Sequence, residues 1–222
     1  SRGSPHVHMV IWLKDAPVYE PNNDEANTRV TDFIDDMITT DTDDLDIQNY
    51  VSYQYHRCTH TCYKKIHGQN ICRFDAPFKP MDKTRILEPI EDELTEEQEK
   101  ELKECYAKLK QVLNEESQDI LSFDHLLEKL GCNLETYLLS IRCNLTHATI
   151  FVKREPKNCR INPYNKKILL LMRSNMDIQF VLDPYACLGY VVDYINKSAR
   201  GLSRMLRQCV EDCRQGNVGL KE

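Results

Sequence analysis

The spacing of apolar residues along the chain predicts several amphipathic helices. Within residues 95–116, apolar side chains recur at helical intervals and form one stripe on an otherwise charged segment. Thr95 and Gln98 match a capping box at its start. The stripe consists of Leu102, Cys105, Tyr106, Leu109, Val112 and Leu113. Further helices are predicted over 28–37, 123–130, 134–143, 185–198 and 202–213.

Shorter apolar runs predict strands. Residues 7–13 are rich in β-branched and large apolar side chains and are cut off by Asp15, Ala16 and Pro17. Three later segments have the same character, at 148–152, 168–172 and 177–182, with a turn at 162–165. The chain is therefore predicted to contain both strands and helices.

Composition limits the possible functions. The 222 residues carry a net charge of −6, so the whole protein does not attract nucleic acid by bulk charge, and any DNA contact needs a local basic surface. The C-terminal segment offers one through Lys197, Arg200, Arg204, Arg207 and Arg214. Ten cysteines without a signal-like apolar segment predict reduced thiols, and no run approaches the roughly 20 apolar residues of a membrane span.

Two histidines lie in the first predicted strand region. Side chains alternate along a strand, so His6 and His8 would share one face and could bind one metal ion together. The alternative is a pair of polar residues on the wetter face of an edge strand.

Two tyrosines lie in the predicted helix 185–198. Tyr190 and Tyr194 are four residues apart and therefore share a helix face, and Lys197 lies three residues further on the same side. A metal ion combined with a tyrosine indicates phosphodiester cleavage, although such tyrosines are also common as half-buried packing residues.

A separate group of cysteines and histidines lies within residues 53–80. The spacing predicts a structural zinc site, because soft thiolate and imidazole ligands close tetrahedrally around that ion. The favoured ligands are His56, Cys58, Cys62 and Cys72, with His60 as the rival histidine and His67 behind it. The alternative is a set of reduced, unligated cysteines. The other cysteines are expected to pack as small apolar residues.

In combination, these motifs resemble the Rep nuclease domain of Helitron rolling-circle transposases, a branch of the HUH endonucleases. The resemblance lies in Arg2-Gly-Ser-Pro-His6-Val-His8, in Tyr190-x-x-x-Tyr194-x-x-Lys197, and in intervening segments. The intervening segments are His56 to Lys64, Cys72 to Phe74, Asn162 to Asn165 and Asn175 to Gln179.

The resemblance implies an α+β domain with a central antiparallel sheet and flanking helices. It implies metal-dependent nicking and joining of single-stranded DNA through a 5′-phosphotyrosine, with Mg or Mn at His6 and His8. It also points to Gln179, or Asp177 second, as a third ligand. A nuclear location and a helicase domain following the nuclease are expected of such a transposase.

The resemblance leads us to expect one Rep-type domain over 1–222, lacking upstream strands, with a zinc module at 53–80 and a helical insertion at 95–131 nested in it. Two other functions fit the same sequence. One is a truncated or domesticated zinc-containing module that binds DNA without cleaving it, and the other is a zinc-stabilised interaction domain.

Overall fold

The protein is α+β, with small two-stranded antiparallel sheets. A computed structural model describes residues 7–66, 69–91, 93–115, 117–195 and 211. The chain divides into two compact parts, 1–179 and 180–222. The α-helices of the described residues are α1 (Asp24–Met37), α2 (Gln48–Val51), α3 (Glu96–Glu115), α4 (Phe123–Leu130), α5 (Leu134–Arg142), α6 (Lys166–Met172) and α7 (Pro184–Ile195). Short 3-10 turns occupy Ser52–Gln54, Ser117–Asp119 and Pro156–Asn158.

The strands form two antiparallel pairs. They are β1 (Tyr63–Ile66), β2 (Gln69–Cys72), β3 (Arg85–Leu87) and β4 (Thr149–Phe151). Strand β1 pairs antiparallel with β2, so that Tyr63 lies opposite Cys72. Strand β3 pairs antiparallel with β4, so that Arg85 lies opposite Phe151. Within the described ranges no larger sheet forms, and the expected central antiparallel sheet of HUH type is not present there.

The predicted strand at 7–13 is wrong, because these residues have no regular secondary structure. Their side chains are exposed, with Val7 at 72% and Trp12 at 85%. A strand acquires its hydrogen bonds only from a neighbouring strand, and an apolar run by itself does not provide one.

The predicted strand at 168–172 is also wrong, because this segment belongs to α6. Asn165 caps the helix, since its side chain accepts a hydrogen bond from the Ile168 amide at 3.0 Å. Leucine, methionine and lysine are good helix formers, and a short apolar run does not by itself distinguish a strand from a helix.

The predicted strand at 177–182 is also wrong, because this segment has no regular structure and connects α6 to α7. Its two polar residues bond to each other instead of lining a sheet, because Gln179 Nε2 donates to Asp177 Oδ1 at 3.1 Å.

The helices predicted from the apolar stripe are confirmed. Helix α3 begins with the expected capping box, in which the Thr95 amide donates to Gln98 Oε1 at 3.0 Å and the Gln98 amide to Thr95 Oγ1 at 3.2 Å. Gly131 ends α4 at φ 71°, a left-handed conformation that favours glycine. Helices α1, α5 and α7 overlap the segments predicted at 28–37, 134–143 and 185–198. The segment predicted at 202–213 lies outside the described residues apart from 211.

Two groups of buried residues form the core. The larger joins α3, α4 and α5 to β3 and β4, and the smaller lies beside α2 and α6. Fully buried members of the larger group include Leu109, Leu126 and Tyr137, whose hydroxyl donates to the Pro80 carbonyl at 2.7 Å. The smaller group contains Ile47, Val51, Ile161, Tyr164 and Leu169.

Candidate functional site

Three of the predicted zinc ligands lie together. His56 Nε2 is 3.5 Å from Cys58 Sγ and 3.3 Å from Cys72 Sγ. The three ligand atoms all lie within 4.8 Å of one another. Ligands at normal zinc distances in a tetrahedron stand about 3.3–3.8 Å apart. The His56–Cys58–Cys72 cluster could therefore hold a metal ion with little movement.

His56 is positioned by a short ladder of backbone hydrogen bonds between residues 54–56 and residues 160–162. Its amide donates to the Arg160 carbonyl at 2.7 Å, and the Asn162 amide donates to the Gln54 carbonyl at 2.8 Å. Between these bonds, Tyr55 and Ile161 form an antiparallel bridge. The imidazole is therefore held from outside the cysteine hairpin.

The two cysteines come from the base of the β1–β2 hairpin. Cys72 ends β2, and the Arg73 amide after it donates to the Cys62 carbonyl at 2.7 Å, which extends the pairing by one residue. Cys58 lies in the segment leading to the hairpin, and its thiol is close to the Tyr63 side chain. A metal ion here would tie the hairpin base to the ladder that carries His56.

The electrostatics of the cluster favour its neutral form. Burial raises the pKa of the Cys58 thiol, and the bond to Cys72 adds to that effect. Burial also lowers the pKa of His56, and the nearby Arg160 guanidinium acts in the same direction. Neutral imidazole is the form that binds a metal, whereas a thiol must lose its proton to solvent before its sulfur binds the cation.

Among the described residues, neither Cys62 nor the rival His60 belongs to the cluster. The Cys62 thiol is buried and lies 3.6 Å from Thr59 Oγ1. Hydrogen bonds from the Thr59 backbone and then from its side chain lower the pKa of that thiol. His60 is exposed, and His67 lies outside the described residues. Sequence reasoning missed the contact of Tyr63 with Cys58, which depends on the hairpin geometry rather than on ligand spacing.

The residues proposed for the catalytic metal ion are found only in part. His6 lies outside the described residues, and His8 is exposed. The side chains of Asp177 and Gln179 are hydrogen-bonded to each other. The segment just before them is hydrogen-bonded to the buried side chain of Gln54. The Gln54 Nε2 donates to the Ser174 carbonyl at 3.0 Å, and the Met176 amide donates to Gln54 Oε1 at 3.1 Å.

The first tyrosine lies on α7, in the part of the chain that starts at Phe180. Tyr190 is 57% exposed, although the helix is predominantly apolar. Position 194 is one turn further along the same helix, so the two positions share a face. The expected cations Lys197, Arg200, Arg204 and Arg207 lie outside the described residues.

Comparisons with other proteins do not identify a family. No family model, curated protein or solved structure matches this chain. Among the described residues, no helix has both the length and the apolar character to cross a membrane.

Proposed function

We propose that this protein nicks and rejoins single-stranded DNA through a covalent phosphotyrosine, as the resemblance to Rep nucleases implies. The observation that supports the proposal best is Tyr190 itself, a largely exposed phenol on an apolar helix, with position 194 on the same face. A phenol that serves only packing is normally half-buried or buried, whereas a nucleophile must be reachable by its substrate.

In the proposed reaction, a tyrosine oxygen attacks the phosphorus and the bond from phosphorus to the 3′ oxygen breaks. The 3′ oxygen leaves with a proton as a hydroxyl, and the 5′ end stays bound to the tyrosine. The reverse attack by a 3′-hydroxyl joins the strands again. A divalent ion held by His6 and His8, with Gln179 or Asp177, would neutralise phosphate charge.

A tyrosine is a weak nucleophile at neutral pH because its reference pKa is about 10. Lys197 lies three residues beyond Tyr194 in the sequence and would favour the phenolate or hold the phosphate. The second tyrosine would hold a second cleaved end, which suits strand exchange.

The test is a covalent adduct assay. The protein is incubated with a labelled single-stranded oligonucleotide pool and Mn²⁺, and an adduct that survives SDS is expected. Chelation should abolish it, and His6→Ala and His8→Ala should each eliminate it. The double variant Y190F/Y194F should form none. Tyr185→Phe, on the same helix but outside the motif, is the matched control and should keep full adduct formation.

The outcomes separate the candidate functions. DNA binding without an adduct would overturn the nuclease proposal in favour of the DNA-binding module. A chain that neither binds nor cleaves would favour the zinc-stabilised interaction domain.

We also propose that the ion at the His56–Cys58–Cys72 cluster is zinc. A thiolate-rich set with one imidazole favours zinc over magnesium or calcium, which prefer oxygen ligands. Protein purified without chelator should contain about one zinc per chain, and Co²⁺ exchange should produce thiolate-to-metal absorption. Cys72→Ser should lose both signals, whereas Cys187→Ser on α7 should keep them. A zinc content far below one per chain would reject the site.

A further inference from the structure

The metal cluster is surrounded by exposed aromatic and basic side chains. No aspartate or glutamate occurs between Asp46 and Asp75, although the whole chain has a net charge of −6. We use the name hairpin surface for the exposed residues of this segment that lie on or beside the cluster and the β1–β2 hairpin. They are Tyr55, Arg57, Tyr63, Lys64, Lys65, Arg73 and Phe74.

The aromatic rings of this surface are anchored on the cluster. The Phe74 ring lies against the His56 ring, with centroids 5.4 Å apart and planes at 64°. The Tyr63 side chain lies close to the Cys58 thiol, and Tyr63 is opposite Cys72 in the strand pair. Yet Tyr63 is 46% exposed and Phe74 is 42% exposed, so part of each ring still faces solvent. Rings fixed on one side and open on the other are suited to stacking with flat ligands.

The cations of the surface lie beside the rings. The Arg73 guanidinium is 4.6 Å from the Phe74 ring centroid, and the Arg57 guanidinium is 5.9 Å from that of Tyr55. Lys65 shares one face of β1 with Tyr63, because the residues are two apart on a strand. The surface thus combines positive charges with aromatic faces, and the segment that supplies it, residues 47–74, contains no aspartate or glutamate.

We infer that the hairpin surface binds single-stranded DNA, with phosphates against the cations and bases stacked on the exposed rings. This combination of cations and aromatic platforms is how proteins bind single strands without reading their sequence. A duplex keeps its bases stacked on each other and would leave the rings unused. An acidic peptide would satisfy the cations only. The choice of DNA over RNA rests on the proposed function.

The test measures binding by fluorescence anisotropy with labelled oligo-dT in the double variant Y190F/Y194F, without Mn²⁺, so that no covalent capture occurs. The triple variant R57A/K65A/R73A should bind at least about 10-fold more weakly at moderate salt. The slope of log affinity against log salt should fall in magnitude by about 2, because each single-strand phosphate contact contributes roughly 0.7. The control R29A/K100A/K103A removes the same charge from exposed positions on α1 and α3 and should change affinity less than about threefold.

Phe74→Leu tests stacking separately, since leucine keeps apolar contact with His56 but removes the aromatic face. It should weaken binding by about fivefold or more with an unchanged salt slope. Metal content of every variant must equal that of the parent, which excludes loss of the cluster as the cause.

Several outcomes would overturn the inference. These are equal binding by the triple and control variants, equal affinity for duplex DNA, tighter binding of oligo-U than of oligo-dT, and equal competition by polyglutamate. Salt-sensitive binding at this surface without any adduct in the wild type would reject only the nuclease. An adduct together with unimpaired binding by the triple variant would reject only the hairpin surface.

Discussion

At the scale of single residues, Arg154 supports the turn that carries the ladder to His56. This side chain is only 5% exposed. Its Nη1 donates to the Asn158 carbonyl at 2.8 Å and also to the Ile161 carbonyl. The guanidinium lies 4.7 Å from the Phe78 ring centroid. The buried charge is thus compensated by carbonyl dipoles and a ring face.

We expect Arg154→Lys to destabilise the protein by about 2–4 kcal/mol, because lysine lacks the planar guanidinium that stacks on the Phe78 ring while one of its nitrogens donates to both carbonyls. Urea unfolding with saturating zinc measures this. The control is Arg29→Lys, an exposed residue of α1, which should cost less than about 0.5 kcal/mol. Equal stability of the two variants would contradict the role given to Arg154.

A second prediction at this scale concerns alkaline pH. Burial, with the Cys105 thiol 3.7 Å away, raises the pKa of Cys132 to about 12. The folded protein keeps this thiol neutral, whereas the unfolded chain ionises it near the ordinary cysteine pKa of 9.0. Its contribution to stability is therefore complete below pH 9 and is lost as the pH rises toward 12. Burial also raises the pKa of Tyr137, so its contribution to stability is likewise lost at high pH.

The urea midpoint should therefore fall steadily as the pH rises from about 8 to about 10.5. This range spans the pKa of the thiol in the unfolded chain, which is about 9. Cys132→Ala should show a smaller fall over the same range, whatever its stability at neutral pH. An identical fall in the variant would show that Cys132 does not titrate as described.

At the scale of elements, the sequence predicted what depends on neighbours along the chain. Helix α3 carries both its capping box and its apolar stripe in local spacing, and α4 occupies the predicted range 123–130. The segment 168–172 failed because five apolar residues fit a strand or a helix equally well. The segment 7–13 failed because pairing is not a local property.

The same distinction between local and non-local information applies to the His56–Cys58–Cys72 cluster. Ligand spacing was sufficient to select His56, Cys58 and Cys72. It did not indicate that Cys62 would lie beside Thr59, outside the cluster. That outcome depends on the turn before β1 and on the register of the hairpin, which spacing alone does not contain.

Two glycines should respond oppositely to alanine. Gly131→Ala places a Cβ at φ 71°, where its nearest neighbour is Lys108 Nζ at 4.0 Å, so the cost comes from the backbone alone, about 1 kcal/mol. Gly189→Ala in α7 meets nothing within 4 Å and should stabilise that helix by about 0.5–1 kcal/mol. Urea unfolding and hydrogen exchange within α7 measure the two effects. Effects of the same sign would contradict this.

At the scale of the molecule, Gln54 joins the metal region to the segment preceding Asp177 and Gln179. It is fully buried and connects Ser174 and Met176 through both ends of its amide. Its own carbonyl belongs to the ladder that positions His56. One side chain thereby links residues more than a hundred positions apart in the sequence.

We expect Gln54→Leu to lower the free energy of unfolding by about 2–4 kcal/mol, because the Ser174 carbonyl and the Met176 amide each lose the hydrogen bond that the buried Gln54 side chain provides. Gln111→Leu, at an exposed position of α3, is the control and should change it by less than about 0.5 kcal/mol. Under the proposed function, Gln54→Leu should also weaken Mn²⁺ binding, measured by calorimetry. Unchanged stability would mean that the amide bonds contribute nothing.

The ladder to Arg160 determines how well the His56–Cys58–Cys72 cluster would bind metal outside this protein. A peptide spanning 53–80 would contain all three clustered ligands but would lack the Arg160 carbonyl that orients His56. It would have to order the imidazole at its own entropic expense and would bind metal more weakly than the whole chain. Unlike an autonomous zinc finger, this centre would not survive transplantation into a foreign scaffold.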